Sequence, residues 1–158
     1  MTNPIHRDDF TNALLLLLDE TFDQEHGIYL DKGTSMFATL DAISAEEASL
    51  PIGRGCASIA AQVKHVAFYL EVMENYFRTP GHPEADWDLV WQTTKEVAPA
   101  QWEGMKSELR QNYVRIKALI EHTPAWTSER PIAEIISVVV HTAYHLGEIR
   151  QALCMINE

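Results

Sequence analysis

Of the 158 residues only two are cysteine and only 12 are lysine or arginine, and no apolar run approaches the roughly 20 residues needed to cross a bilayer. The longest apolar stretches, residues 13–18 and 135–140, are far too short, so no membrane span is expected. The basic residues form no run and face 23 acidic ones, for a formal net charge of -11. Binding a nucleic-acid duplex or an anionic membrane surface takes a cluster of cations, so neither is expected as a partner. Cys56 and Cys154 lie too far apart for a CxxC motif and read as free thiols acting as small buried hydrophobes. Cys56 falls near a helix start, but no base stands beside it to activate it. The N-terminus, MTNPIHRDD, lacks a basic stretch followed by an apolar one, so a secretory signal is not expected and the cytoplasm is the expected compartment.

What is present suits one soluble domain over residues 1–158, with 46% apolar and 22% charged residues. The spacing predicts a first helix over residues 9–22, with Phe10, Leu14, Leu17 and Leu18 on one face. Gly27 and Gly33 break the pattern over residues 23–34; Met36, Phe37 and Leu40 resume it. Ser44 with Glu47 three residues later is a capping box for a short turn. After a loop at residues 51–55, a second long helix is predicted over 57–77. Projection puts Ala60, Lys64, Ala67, Glu71, Glu74 and Arg78 on a water-facing side. Ser58, Gln62, His65, Tyr69, Val72, Met73 and Tyr76 fall opposite, facing inward. Residues 79–99, with Pro80, Gly81, Pro83 and Pro99, read as a long crossover containing a short helix near 87–95. Pro99 suits the first turn of a third helix, whose stripe is Trp102, Met105, Leu109, Tyr113, Ile116 and Ile120. Ser128 and Pro131 announce a last helix running to about residue 154. Its apolar face is Ile132, Ile135, Val139, Ala143, Leu146 and Leu153, flanked by Val138, Val140, Tyr144 and Ile149. No strand-like alternation of useful length occurs. The fold class is therefore all-α, a four-helix bundle with a long crossover between its second and third helices.

The last helix also carries a polar stripe of Glu134, Ser137, His141, His145 and Glu148. Residues i and i+4 lie one above the other on a helix, so His141 and His145 can reach a common point. Taken alone, this HxxxH also fits a solvent face. His65, inward by pattern, tips the balance: a buried imidazole needs a partner, and an inward polar stripe satisfies all three rings at once. Three histidines leave one tetrahedral position of a metal open, the arrangement of a catalytic site. Imidazole suits zinc, nickel, copper and iron alike. His6, His26, His82 and His122 fall at helix ends or in loops and read as solvated.

Two segments, ASIAAQVKHV and HTAYHLGEIRQ, resemble the DinB family, also described as DinB/YfiT-like metalloenzymes; the second is similar to that family's HxxYHxGQI signature. Spacing and helix order agree over nearly the whole chain. Glu148 departs from the pattern, standing where the family more often has glutamine. The resemblance implies a four-helix bundle with a long crossover, frequently dimeric, and a divalent metal on His65, His141 and His145. It also implies chemistry with low-molecular-weight thiols, since characterised relatives include thiol-dependent transferases and an isomerase.

The expected activity is metal-dependent, with Zn²⁺ or Ni²⁺ and a thiol-dependent S-transferase or hydrolase reaction on a small molecule. Glu148 would orient an imidazole or relay a proton, and Gln62, Tyr69 and Tyr144 would line the pocket. The competing expectation is a non-catalytic helical domain that forms a homodimer through its last helix and keeps a vestigial histidine cluster.

Overall fold

Helix-forming periodicity translates into seven helices in a computed structural model that describes residues 5–53, 55–79 and 85–157. They are α1 (Arg7–Phe22), α2 (Met36–Asp41), α3 (Ala45–Ser49), α4 (Ile59–Arg78), α5 (Trp87–Thr93), α6 (Pro99–His122) and α7 (Glu129–Ile156). No strand occurs among the described residues, and no helix there is long and apolar enough to cross a membrane. Pro80, Gly81, His82 and Pro83 of the predicted crossover lie outside the described residues, as does Arg54 of the loop before α4.

Local chemistry sets the helix boundaries. Ser44 caps α3, its Oγ accepting from the Glu47 N–H while the Glu47 carboxylate accepts from the Ser44 N–H. Ser58 caps α4 by accepting from the Ala61 N–H, so it stands at the helix entrance and not on the inward face. Pro99 occupies the first turn of α6, where its missing N–H costs nothing. Between α1 and α2 the chain is folded around two acids. The fully buried Glu20 accepts from the N–H groups of Ile28, Tyr29 and Leu30 with one oxygen, and Glu25 accepts from that of Ser35.

The long helices pack α4 against α6 and α7, and α1 against the same two. Leu18, Phe22, Ile59, Leu70, Leu109, Ile116, Ile135 and Leu146 are fully enclosed at their centre. Trp102 ties α6 to the α2–α3 segment, its buried Nε1–H donating to the Ile43 carbonyl at 2.7 Å.

Three further expectations are corrected. The predicted water-facing side of α4 holds for Glu71 and Arg78, but Ala60, Ala67 and Glu74 are buried. That side packs on α6, whose Asn112 amide donates to the Ala67 carbonyl at 2.7 Å. The charges along it pair with α6 across the seam, Lys64 with Glu108 and Glu74 with Arg115. On α7 the flanking residues divide: Val138 and Ile149 face the core, whereas Val140 and Tyr144 are 61% and 62% exposed. Both cysteines are exposed free thiols rather than buried hydrophobes, because Cys56 sits in the loop before α4 and Cys154 on the outward side of the last turns of α7.

Candidate metal centre

Helix α4 contributes His65 and α7 contributes His141 and His145, one turn apart. Because α4 and α7 pack directly, the three rings meet, with a potential ligand nitrogen from each lying within 4.8 Å of the others. The Nε2 atoms of His65 and His141 are 3.1 Å apart. Zinc–imidazole bonds of about 2.0–2.1 Å in a tetrahedron put neighbouring nitrogens roughly 3.3 Å apart, so the His65–His141 spacing fits a small divalent ion. His65 and His145 are buried and His141 is half-buried.

Electrostatics suit ligation. Burial, reinforced by the neighbouring His145, lowers the His65 pKa to about 4; burial together with His145 and His65 lowers that of His141 to about 3. Burial also lowers His145, against the opposing pull of the Glu148 carboxylate. All three rings are neutral near pH 7 and keep a lone pair for a cation.

The tautomer of His145 follows from its neighbours. Its Nδ1 lies 2.6 Å from Gln62 Oε1 and 2.9 Å from Glu148 Oε2. Both are acceptors, so Nδ1 carries the hydrogen and Nε2 keeps the lone pair. A histidine ligand oriented through its second nitrogen by a carboxylate or carbonyl is the usual support of a metal site. His65 and His141 lack that support, since their Nδ1 atoms are buried without a hydrogen-bond partner. Aromatic faces hold these rings instead: Tyr69 stacks on His141 at 3.7 Å and 13°, and Trp91 on His65 at 4.3 Å and 24°. The Tyr69 hydroxyl is fixed by Ser137 Oγ at 2.8 Å.

An open cavity of about 730 Å³ adjoins the cluster, within the usual size of small-molecule sites. His145, Gln62, Tyr144 and Glu148 line it, as do Trp91 and Cys56. Tyr69 does not; the structure places it behind His141. Glu148 and Gln62 both meet His145 and the cavity, which joins the two roles expected for them separately. Trp87 and Trp91 of α5 are the site residues that sequence reasoning left in the crossover. Their signal was an aromatic pair at i, i+4 in a segment otherwise rich in breakers. Of the four other histidines, His26 pairs with Asp19 at 2.8 Å, His122 Nδ1 meets the Ala118 carbonyl, His6 is exposed, and His82 lies outside the described residues. Comparison with family models, curated proteins and solved structures finds no match.

Proposed function

We propose that the chain is a metal-dependent enzyme acting on a small molecule, with His65, His141 and His145 as ligands of a Zn²⁺ or Ni²⁺ ion. One observation carries this reading: three neutral imidazoles from two helices converge beside an open cavity that His145 itself lines. An ion with three neutral ligands and an open position acidifies a coordinated water or thiol, which supplies a nucleophile at neutral pH. Hydrolase or S-transferase chemistry follows according to which is bound. In either case Gln62 and Glu148 hold the His145 ring, and the Glu148 carboxylate, half-buried on the cavity wall, is placed to accept a proton from a bound molecule.

The resemblance to the DinB family supports the thiol branch and the reading of the fold as a four-helix bundle of α1, α4, α6 and α7, with the segment holding α5 as the crossover. Two free, exposed cysteines fit a reducing cytoplasmic setting. Metal analysis of protein purified without a nickel column tests the site, with one equivalent expected in the parent and none in His141→Ala. Stoichiometric metal retained by that variant rejects the ligand set. Turnover of monobromobimane with a panel of low-molecular-weight thiols tests the transferase branch, and the absence of any thiol-dependent rate leaves the hydrolase.

A second reading rests on a different observation. Ile136, Val140 and Tyr144 form an exposed apolar row on α7 at i, i+4 spacing, 41%, 61% and 62% exposed. Such a row suits a homodimer interface, whether or not the histidines bind metal. Light scattering decides it, with a monomer at micromolar concentration counting against the interface.

A further inference from the structure

The cavity beside His145 does not end there. A second hollow of about 510 Å³ runs on along the C-terminal half of α7, and the two share Cys56, Ala57, Gln62, Tyr144 and Glu148 as lining. Together they form one trough between α7 and the loop that leads into α4. Its chemistry changes along its length. The histidine end carries the ionisable groups, with His145, Lys95 and Glu96 set among apolar neighbours such as Trp91 and Ala61. At the far end the described residues not shared are Ile52, Gly147, Gln151, Ala152 and Met155, of which Gln151 alone is polar. Met155 is 53% exposed, apolar surface that an occupant would cover.

Gly147 keeps this end wide. It lies inside α7, where glycine weakens a helix relative to alanine, yet a Cβ placed there meets nothing within 4 Å, so close packing does not require it. What the missing side chain leaves is open trough. The carboxylate of Glu148, where the two hollows join, disfavours an anionic group passing into the far half.

We infer that the substrate is an elongated molecule with a polar, metal-binding head and an uncharged apolar tail, the head at the histidines and the tail lying past Cys56 and Gly147 towards Met155. This rests on the metal reading above and adds the class of molecule. The tail supplies affinity by burying apolar surface, and the head supplies orientation.

A series of hydroxamates, from acetyl through butyryl and hexanoyl to octanoyl, tests it on the full chain loaded with one equivalent of Co²⁺. The visible bands of the ion report that the head has bound, and titration gives the affinity. Affinity is expected to rise about three- to four-fold per buried methylene until the trough is filled. In Gly147→Phe, whose ring occupies the far half, the octanoyl-to-acetyl affinity ratio is expected to collapse; Gly147→Ala, which fills little of it, controls for folding. Acetohydroxamate binding with no gain from chain length overturns the inference and leaves the metal site standing. Failure of every hydroxamate to perturb the Co²⁺ bands removes the open position on which the enzyme reading depends, and this inference with it. A dimer that covers Met155 gives the flat series and counts against the tail.

Discussion

At His145 a single N–H faces two acceptors, the neutral Gln62 amide oxygen at 2.6 Å and the Glu148 carboxylate at 2.9 Å. Removing one leaves the other, so the amide's contribution shows only when its shape is kept and its oxygen lost. Gln62→Leu is expected to weaken metal binding by about ten-fold, the low end for loss of an orienting partner, whereas Gln62→Glu, which still accepts, is expected to hold affinity. Competition with a chromophoric chelator measures both, and parental affinity in the leucine variant would remove Gln62 from the support of the site. The same three histidines make a sharper statement through pH. A ring with the ordinary pKa near 6.5 is mostly protonated at pH 5.5, and three such ligands would cost roughly a thousand-fold in affinity between pH 7.5 and 5.5. With His65 held at about 4 and His141 at about 3, those two rings are already neutral across that range, and burial lowers His145 against the pull of Glu148. The apparent affinity is therefore expected to fall less than about ten-fold, a much shallower dependence than exposed histidines would give. The clustering of the three histidines was legible because HxxxH and an inward His65 are local patterns. The contact of Gln62 with His145, 83 residues apart, was not, since nothing in either segment specifies the register at which two helices meet.

Between elements, Trp102 shows how one side chain joins segments that sequence pattern treats as separate. Its ring is 1% exposed, and its Nε1–H satisfies the buried carbonyl of Ile43, the residue that links α2 to α3. Trp102→Phe keeps an aromatic in the stripe but leaves that carbonyl without its donor. The expected loss is about 1–3 kcal/mol in urea unfolding, plus a contribution from the smaller ring. A loss below about 0.5 kcal/mol would mean that water replaces the bond. The α6 stripe was readable because large apolar residues recur on one face and long polar ones fill the other. Helix α4 was not, because it buries two faces. On the second, Ala60 and Ala67 are small enough to admit α6 closely, and Glu74 is acceptable there because Arg115, 41 residues on, neutralises it. A projection that sorts residues by polarity assigns such a face to water, and only the identity of the neighbouring helix corrects it.

For the molecule as a whole, acidification sets two effects against each other. The chain carries a formal charge of -11 with a pI near 5.0, so lowering the pH from 7 towards 5 relieves self-repulsion and favours the folded state. The buried histidines act the other way. Their pKa values are lowered on folding, so below about pH 6.5 the unfolded chain takes up protons that the folded chain refuses, and stability falls until the folded pKa values near 4 and 3 are reached. A second window opens lower. Backbone N–H groups hold Glu25 at about 2, and Glu20 is lowered too, with accepted N–H bonds outweighing its burial. Both are depressed carboxylates, so the stability they give is complete above about pH 4.5 and is lost as the pH drops through their folded values. Net charge cannot separate the histidine effect, but a substitution can. In EDTA, the parent and a His65→Gln, His141→Gln double variant share nearly all of the repulsion, so the difference between their melting temperatures isolates the buried imidazoles. That difference is expected to move against the parent as the pH falls from 7 to 5, before the carboxylate window begins. Parallel curves over that interval would mean that the rings are not held neutral by the fold, and would remove the electrostatic argument for a preformed metal centre.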